Sequence, residues 1–282
     1  MRLLITGSNG QLGSSLTESQ SDEYEIIGSA RKLEESSSLV KLDITDLDEV
    51  VGIVSRVSPD VVINTAALTN VDHCEKDREL AMLTNAKSAE NVAIACKEIG
   101  AKMIQISTDY VFDGEGGVYN ESSPTSPIQE YGRTKLEGER SAIDVLGSDL
   151  CIVRTSVVFD GVSKNFVTWV IGSLKSGSEI RIVQDQWVCP TSTRFLTKSI
   201  LNLVEDGFNG IINVSSSDRI SRFEMAQIIA KKCGLDFSKI LPISMDDLNW
   251  EARRPRDSSL DISLLKTITE TWNFEKMLEK EF

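Results

Sequence analysis

Leu3-Leu4-Ile5-Thr6-Gly7-Ser8-Asn9-Gly10-Gln11-Leu12-Gly13 opens the chain with an apolar run followed by three glycines at intervals of three. The run reads as a strand, and the residues from Gln11 onward read as the start of a helix. Glycine at such a junction permits a tight turn, lets a diphosphate approach backbone N–H groups, and lets the helix lie close on the strand. Gly7, Ser8, Asn9, Gly10, Gln11, Leu12 and Gly13 are therefore candidate cofactor-binding residues. The downstream pattern agrees with this reading. Residues 2–6, 25–29, 40–44, 61–66 and 102–108 read as strands, alternating with helical stretches at 11–18, 46–57 and 71–99. Strand and helix in alternation predict an α/β fold: a doubly wound parallel sheet with helices on both faces. Asp46 followed by Glu49 is a capping-box pattern for the second helix.

The edge of the second strand indicates which dinucleotide fits. An acidic residue there would bind a ribose 2′-hydroxyl, but the sequence reads Gly28-Ser29-Ala30-Arg31-Lys32. Two cations without a carboxylate favour a 2′-phosphate, hence NADPH, with NADH the other possibility. Asp43 and Ile44, ending the third strand, would border the adenine. Ala66, Ala67 and Leu68, after the fourth, would pass beside the middle of the cofactor, and Asn85 in the long helix joins this set.

Tyr131-Gly132-Arg133-Thr134-Lys135 places a phenol and an ammonium four residues apart, on one face of a helix expected over residues 130–146. An ammonium beside a phenol favours phenolate, so Tyr131 is expected to have a lowered pKa and to serve as a proton donor and acceptor. The fifth strand ends in Ile106-Ser107-Thr108, putting the Thr108 hydroxyl at the carboxyl edge of the sheet, where such sheets bind ligands. Beyond a Gly/Ser/Pro-rich loop at 113–127, strands are expected at 150–159, 180–183 and 211–214. Helices are expected at 165–175, 194–205 and 222–232. This less regular half suggests a smaller mixed lobe. Asn165 would contact substrate or cap a helix. Arg253, Arg254 and Arg256 around Pro255 form a basic turn that would meet a diphosphate, or else a solvated loop paired with Glu251 and Asp257.

Composition narrows the function classes. The chain has 282 residues, 40% of them hydrophobic, and a formal net charge of −13. An acidic balance argues against nucleic-acid partners and membrane surfaces, which select basic patches. No apolar run approaches the ~20 residues that span a bilayer, and the start lacks a signal-peptide layout, so a cytoplasmic protein is expected. Five cysteines without CxxC spacing and one histidine, His73 in a polar run, suggest neither disulfides nor a metal site.

Gly7/Gly10/Gly13, Thr108 and the Tyr131/Lys135 pair together resemble an extended short-chain dehydrogenase/reductase. More narrowly, Gln105 to Gly114, Asn120-Glu121, Tyr131 to Glu139, Val153-Arg154-Thr155-Ser156, Asn165-Phe166-Val167, Pro190-Thr191 and Ala252-Arg253-Arg254-Pro255 resemble the dTDP-4-dehydrorhamnose reductase family. The resemblance implies a Rossmann domain formed by residues 1–157 and about 193–216, and a substrate lobe of about 158–192 and 217–282. It implies hydride transfer from NADPH to the C4 ketone of a nucleotide-linked deoxysugar, most simply dTDP-4-dehydrorhamnose. Tyr131 would protonate the oxygen, Thr108 would hydrogen-bond it, and Lys135 would tune Tyr131 and hold the nicotinamide ribose. Asp109, Tyr110, Asn165 and Arg253 would contact the substrate. Sugar-nucleotide 4,6-dehydratases carry Asp-Glu after the threonine; Asp109-Tyr110 disfavours that chemistry.

The chain departs from the family at Val157, where a tryptophan is usual, at Leu68, where an aromatic is common, and at Phe195, where an acidic residue is common. These differences point to a different nucleotide sugar or a changed pose. The 131–139 segment is also similar to the regulatory β subunit of methionine adenosyltransferase, which implies a dinucleotide-binding regulatory protein as the alternative. The assembly expected is a monomer or a homodimer.

Overall fold

The computed structural model describes residues 1–19, 23–33 and 37–282. Six strands of the first half are β1 (Arg2–Thr6), β2 (Glu25–Ala30), β3 (Val40–Lys41), β4 (Val61–Asn64), β5 (Lys102–Thr108) and β6 (Leu150–Thr155). Four short strands follow in the smaller lobe: β7 (Val158–Phe159), β8 (Ile180–Val183), β9 (Trp187–Val188) and β10 (Thr191–Ser192). The chain then returns to the main sheet through β11 (Gly210–Asn213), and β12 (Ile220–Ser221) and β13 (Ile240–Ile243) complete the lobe. Among the described residues the main sheet has seven strands in the order β11-β6-β5-β4-β1-β2-β3, all parallel. Strand order reverses between β1 and β4, which opens a crevice at their carboxyl ends.

Helices cover both faces, as the doubly wound reading requires: α1 (Gln11–Thr17), α2 (Leu47–Val57), α3 (Val71–Lys76), α4 (Arg78–Met82), α5 (Ser88–Ile99), α6 (Glu130–Leu146), α7 (Phe166–Lys175), α8 (Thr193–Glu205), α9 (Arg222–Lys232) and α10 (Phe274–Glu281). Alternation along β1 sorts the two cores. Leu3 and Ile5 pack with Leu12, Leu16, Phe195 and Leu196, whereas Leu4 packs with Val50, Val54, Val92 and Cys96. The first core runs on into the smaller lobe through Val170, Met225 and Phe274, so the lobe is fused to the sheet by apolar contact. Phe195 is fully buried there, with its ring centroid 5.3 Å from that of Trp272.

Three expected elements differ. The third strand keeps only two residues, because Asp43 turns the chain: its Oδ1 accepts from Thr45 N at 3.0 Å, while its own N–H donates to Glu49 at 3.1 Å. That bond diverts Glu49 from the capping box, leaving Asp46 to cap Glu49 N alone. The long 71–99 helix is broken at Asp77, whose side chain starts α4 by accepting from Leu80 N at 3.0 Å. It is also interrupted by a π turn at Leu83–Lys87. The 150–159 strand divides because Val157 has φ +43°, a left-handed conformation costly for a β-branched residue.

Candidate active site

A cleft of about 680 Å³ lies along the carboxyl ends of the sheet strands. It is lined at one end by Gly7, Asn9, Gly10, Gln11, Leu12 and Gly13, and at the other by Thr108, Asp109, Tyr110, Tyr131 and Lys135. The turn between β1 and α1 requires its glycines. Gly7 has φ +71°, and a Cβ there would meet Ala66 Cα at 2.8 Å; a Cβ on Gly13 would meet Gly7 O at 2.2 Å. Gly10, at the N-cap of α1, offers no side chain, so the first-turn N–H groups are left for a ligand. Arg31, Lys32, Asp43, Ile44, Ala66, Ala67 and Leu68 also line the cleft.

Four sequence-derived candidates, Ser8, Asn165, Arg253 and Asn85, take other places. Ser8 is buried, donating to Ile5 O at 3.1 Å and accepting from Ser29 N at 3.1 Å, so it ties β1 to β2 instead of facing the cleft. Asn165 is the N-cap of α7, accepting from Thr168 N at 3.1 Å, and its amide donates to Asp160 O at 2.9 Å. Arg253 is exposed and away from the cleft lining. Its neighbour Arg254 is bound to Asp72 at 2.8 Å, and Arg256 to Asp185 at 2.7 Å, so two of the three arginines of the basic turn are paired with carboxylates.

Asn85 does not reach the cleft either; it shapes the cleft wall. From the π turn its buried side chain accepts from Leu68 N at 2.8 Å and donates to Leu68 O at 3.1 Å and Thr134 Oγ1 at 3.1 Å. One amide thus joins the loop after β4 to α6. Glycines again allow the approach: a Cβ on Gly138 would meet Asn85 O at 2.5 Å, and one on Gly132 would meet Tyr110 O at 2.0 Å.

The reactive end is held by a buried polar frame. Arg154 on β6 pairs with Glu139 on α6 at 2.6 Å, with both side chains 3% exposed or less, and Ser107 Oγ donates to the same carboxylate. The frame fixes α6 against the end of β5, bringing Tyr131 and Lys135 up to Thr108. Lys135 Nζ donates to Ile106 O at 2.6 Å. Burial lowers the lysine to about 8, with Glu139 acting in the opposite sense. Burial raises Tyr131, and the hydrogen bond with Thr108 only partly offsets it. The expected lowering by Lys135 is absent, because the ammonium is directed to the strand carbonyl and desolvation dominates the phenol. Tyr131 is therefore held as a neutral phenol, suited to donating a proton.

Asp109 is fully enclosed, accepting from Ser258 at 2.5 Å, Ser156 at 2.8 Å and Thr108 at 3.1 Å; burial raises its carboxyl while these bonds lower it. The Tyr110 and Tyr131 rings meet edge to face with centroids 6.1 Å apart. Thr155, paired with Thr108 across β5 and β6, also lines the cleft; its buried Oγ1 has no hydrogen-bond partner among the described residues. A polar atom left this way on a cleft wall fits a bound ligand, as do the glycine turn and the Arg31/Lys32 edge. Sequence reasoning missed Thr155 and Arg222. Arg222 comes from the smaller lobe, and its contribution depends on a long-range crossing that no local pattern announces. His73 is exposed, and no group of metal-ligating side chains occurs among the described residues.

A family model described as RmlD substrate binding domain matches residues 1–280. A dTDP-4-dehydrorhamnose reductase from Mycobacterium tuberculosis is 35% identical, with 92% of this chain and 84% of the relative covered. The chain belongs to the dTDP-4-dehydrorhamnose reductase family. The crystal structure of the family member from Bacillus anthracis, in complex with NADP, is 35% identical, covers 100% of this chain and 98% of that one, and superposes with a TM-score of 0.93. A probable low-salt glycan biosynthesis reductase from Haloferax volcanii is equally close, at 35% identity over 93% of this chain and 90% of the relative. Relatives at the same identity thus carry different reductase names. No helix among the described residues is long and apolar enough to cross a membrane.

Proposed function

We propose that this chain is an NADPH-dependent reductase of a 4-keto nucleotide-linked deoxysugar, with dTDP-4-dehydrorhamnose as the first substrate to test. The oxidoreductase class follows from the family; the reading of the reaction is carried by one observation, the Thr108, Tyr131 and Lys135 cluster in the same cleft as the glycine turn. Residues 7–13 would receive the cofactor diphosphate at backbone N–H groups, and Arg31 and Lys32 a 2′-phosphate. Bound reduced nicotinamide supplies the hydride. The protein supplies the rest of the reduction: as negative charge develops on the ketone oxygen, Tyr131 O–H donates its proton and the Thr108 hydroxyl rotates away from Asp109 to donate a hydrogen bond to that oxygen. Lys135, anchored on Ile106 O, fixes the geometry of this end of the cleft. The enclosed Asp109 offers its oxygens to three hydroxyls and is spent on holding the wall.

Consumption of NADPH in the presence of dTDP-4-dehydrorhamnose and related 4-keto sugars tests the reading. Oxidation of NADPH dependent on a keto sugar, and lost in Tyr131→Phe, supports it. NADPH binding without turnover of any 4-keto sugar would count against it.

A further inference from the structure

Arg222 enters the cleft from the smaller lobe, at the first position of α9. Its backbone is fixed on both sides. Ser221 and Glu224 form a complete capping box, and Arg222 N donates to Gln186 O at 3.0 Å. The guanidinium lies 5.0 Å from the centroid of the Phe166 ring, and Tyr110 lines the same part of the cleft. It has no carboxylate partner among the described residues, unlike the other arginines nearby: Arg219 is held by Asp257 at 2.5 Å, Arg254 by Asp72 at 2.8 Å and Arg256 by Asp185 at 2.7 Å. Asp109 stabilises the cation through space, but its oxygens are engaged by Ser156, Ser258 and Thr108.

A guanidinium carries five N–H donors in a planar fork shaped for an oxyanion. Arg222 lines the cleft, and among the described residues no side-chain hydrogen bond or ion pair engages these donors. Removing a cation from water without a counter-charge is unfavourable, and burial accordingly lowers the Arg222 pKa. A bound anion would remove that penalty. We propose that Arg222 is a specificity-determining residue that takes an anionic oxygen of the substrate. That oxygen belongs either to the phosphate attached to the sugar or to a carboxylate on the sugar itself. This rests on the reading of the cleft as a nucleotide-sugar reductase, and it gives the pocket a charge requirement beside the small Val157 wall.

The test compares the full chain with Arg222→Gln and Arg222→Lys. Titrations use dTDP, UDP-glucuronate and inorganic phosphate in the presence of NADP, with NADPH affinity and thermal midpoint measured as fold controls. Loss of about 10- to 100-fold in dTDP affinity in Arg222→Gln, partly restored in Arg222→Lys, with NADPH affinity within twofold of wild type, is expected for a phosphate contact. A loss confined to UDP-glucuronate assigns the contact to a sugar carboxylate. In turnover, Arg222→Gln should raise KM for the keto sugar and leave KM for NADPH unchanged. Wild-type affinity of Arg222→Gln for both nucleotides, or wild-type protein that binds neither, overturns the proposal. The two readings fail separately. Wild-type reduction of a keto sugar with unchanged kinetics in Arg222→Gln removes only the role of Arg222. Arginine-dependent dTDP binding without reduction of any keto sugar removes only the reductase reading.

Discussion

In the proposed reduction, Tyr131 and Lys135 have contacts that give each a distinct signature. Tyr131→Phe removes the proton but keeps the ring edge on Tyr110, so kcat should fall about 10²- to 10⁴-fold with KM for the sugar little changed. Steady-state kinetics at saturating NADPH checks this. Lys135 gives a pH dependence: with its pKa lowered to about 8, it is charged below that pH and loses its proton as pH rises through it. Tyr131 stays protonated throughout, since burial raises it. The rate of keto-sugar reduction should therefore be flat from about pH 6 to 7 and decline above about 8, and Lys135→Met should abolish that inflection. A rate that instead rises through pH 8 would mean that a deprotonated group drives the step.

At the scale of elements, the site depends on how closely α6 approaches its neighbours. Gly132 faces Tyr110 O so tightly that a Cβ would stand 2.0 Å from it. Gly132→Ala should cost about 1 to 3 kcal/mol by denaturant unfolding and displace Tyr131, lowering kcat as well. Breaking the enclosed Glu139–Arg154 pair is more severe: Glu139→Ala leaves a guanidinium buried without a counter-ion, a loss of about 3 to 5 kcal/mol. Much of this scale was legible in the sequence. β1, β5 and α6 lie where apolar alternation, helical spacing and a glycine turn indicated, because local pattern and tertiary demand agree there. The reading failed where they conflict. A hydrophobic periodicity carried through residues 71–99 conceals the Asp77 cap and the π turn that presents Asn85 to Leu68. A β-branched run through 150–159 gives no warning that Val157 adopts a left-handed bend. In sequence Asn165 reads as a substrate contact or a cap and Ser8 reads with the cofactor turn, and the cap and tie they form are decided by partners distant in sequence or in the next turn.

Over the whole molecule a net charge of −13 surrounds a cleft that gathers Arg31, Lys32, Lys135 and Arg222. The global balance concerns solubility, while in the proposed reading the local cations would govern binding. The sequence anticipated three of these four; the fourth comes from the smaller lobe, and the basic turn at Arg253 and Arg254 lies outside the cleft lining. Exposed Arg31 and Lys32 act through a screened field, so Arg31→Ala with Lys32→Ala should raise KM for NADPH about 10-fold and leave that for NADH nearly constant. Equal losses for both cofactors would reassign the two cations. The central claim is that one cleft unites a dinucleotide turn with a neutral phenol that protonates a sugar ketone. Its most direct measurement is single-turnover oxidation of enzyme-bound NADPH on mixing with dTDP-4-dehydrorhamnose, in wild type and in Tyr131→Phe. The account predicts rapid oxidation by the wild type, with formation of the reduced sugar, and a rate at least about 10²-fold slower in the variant. Equal rates in the two proteins would contradict it.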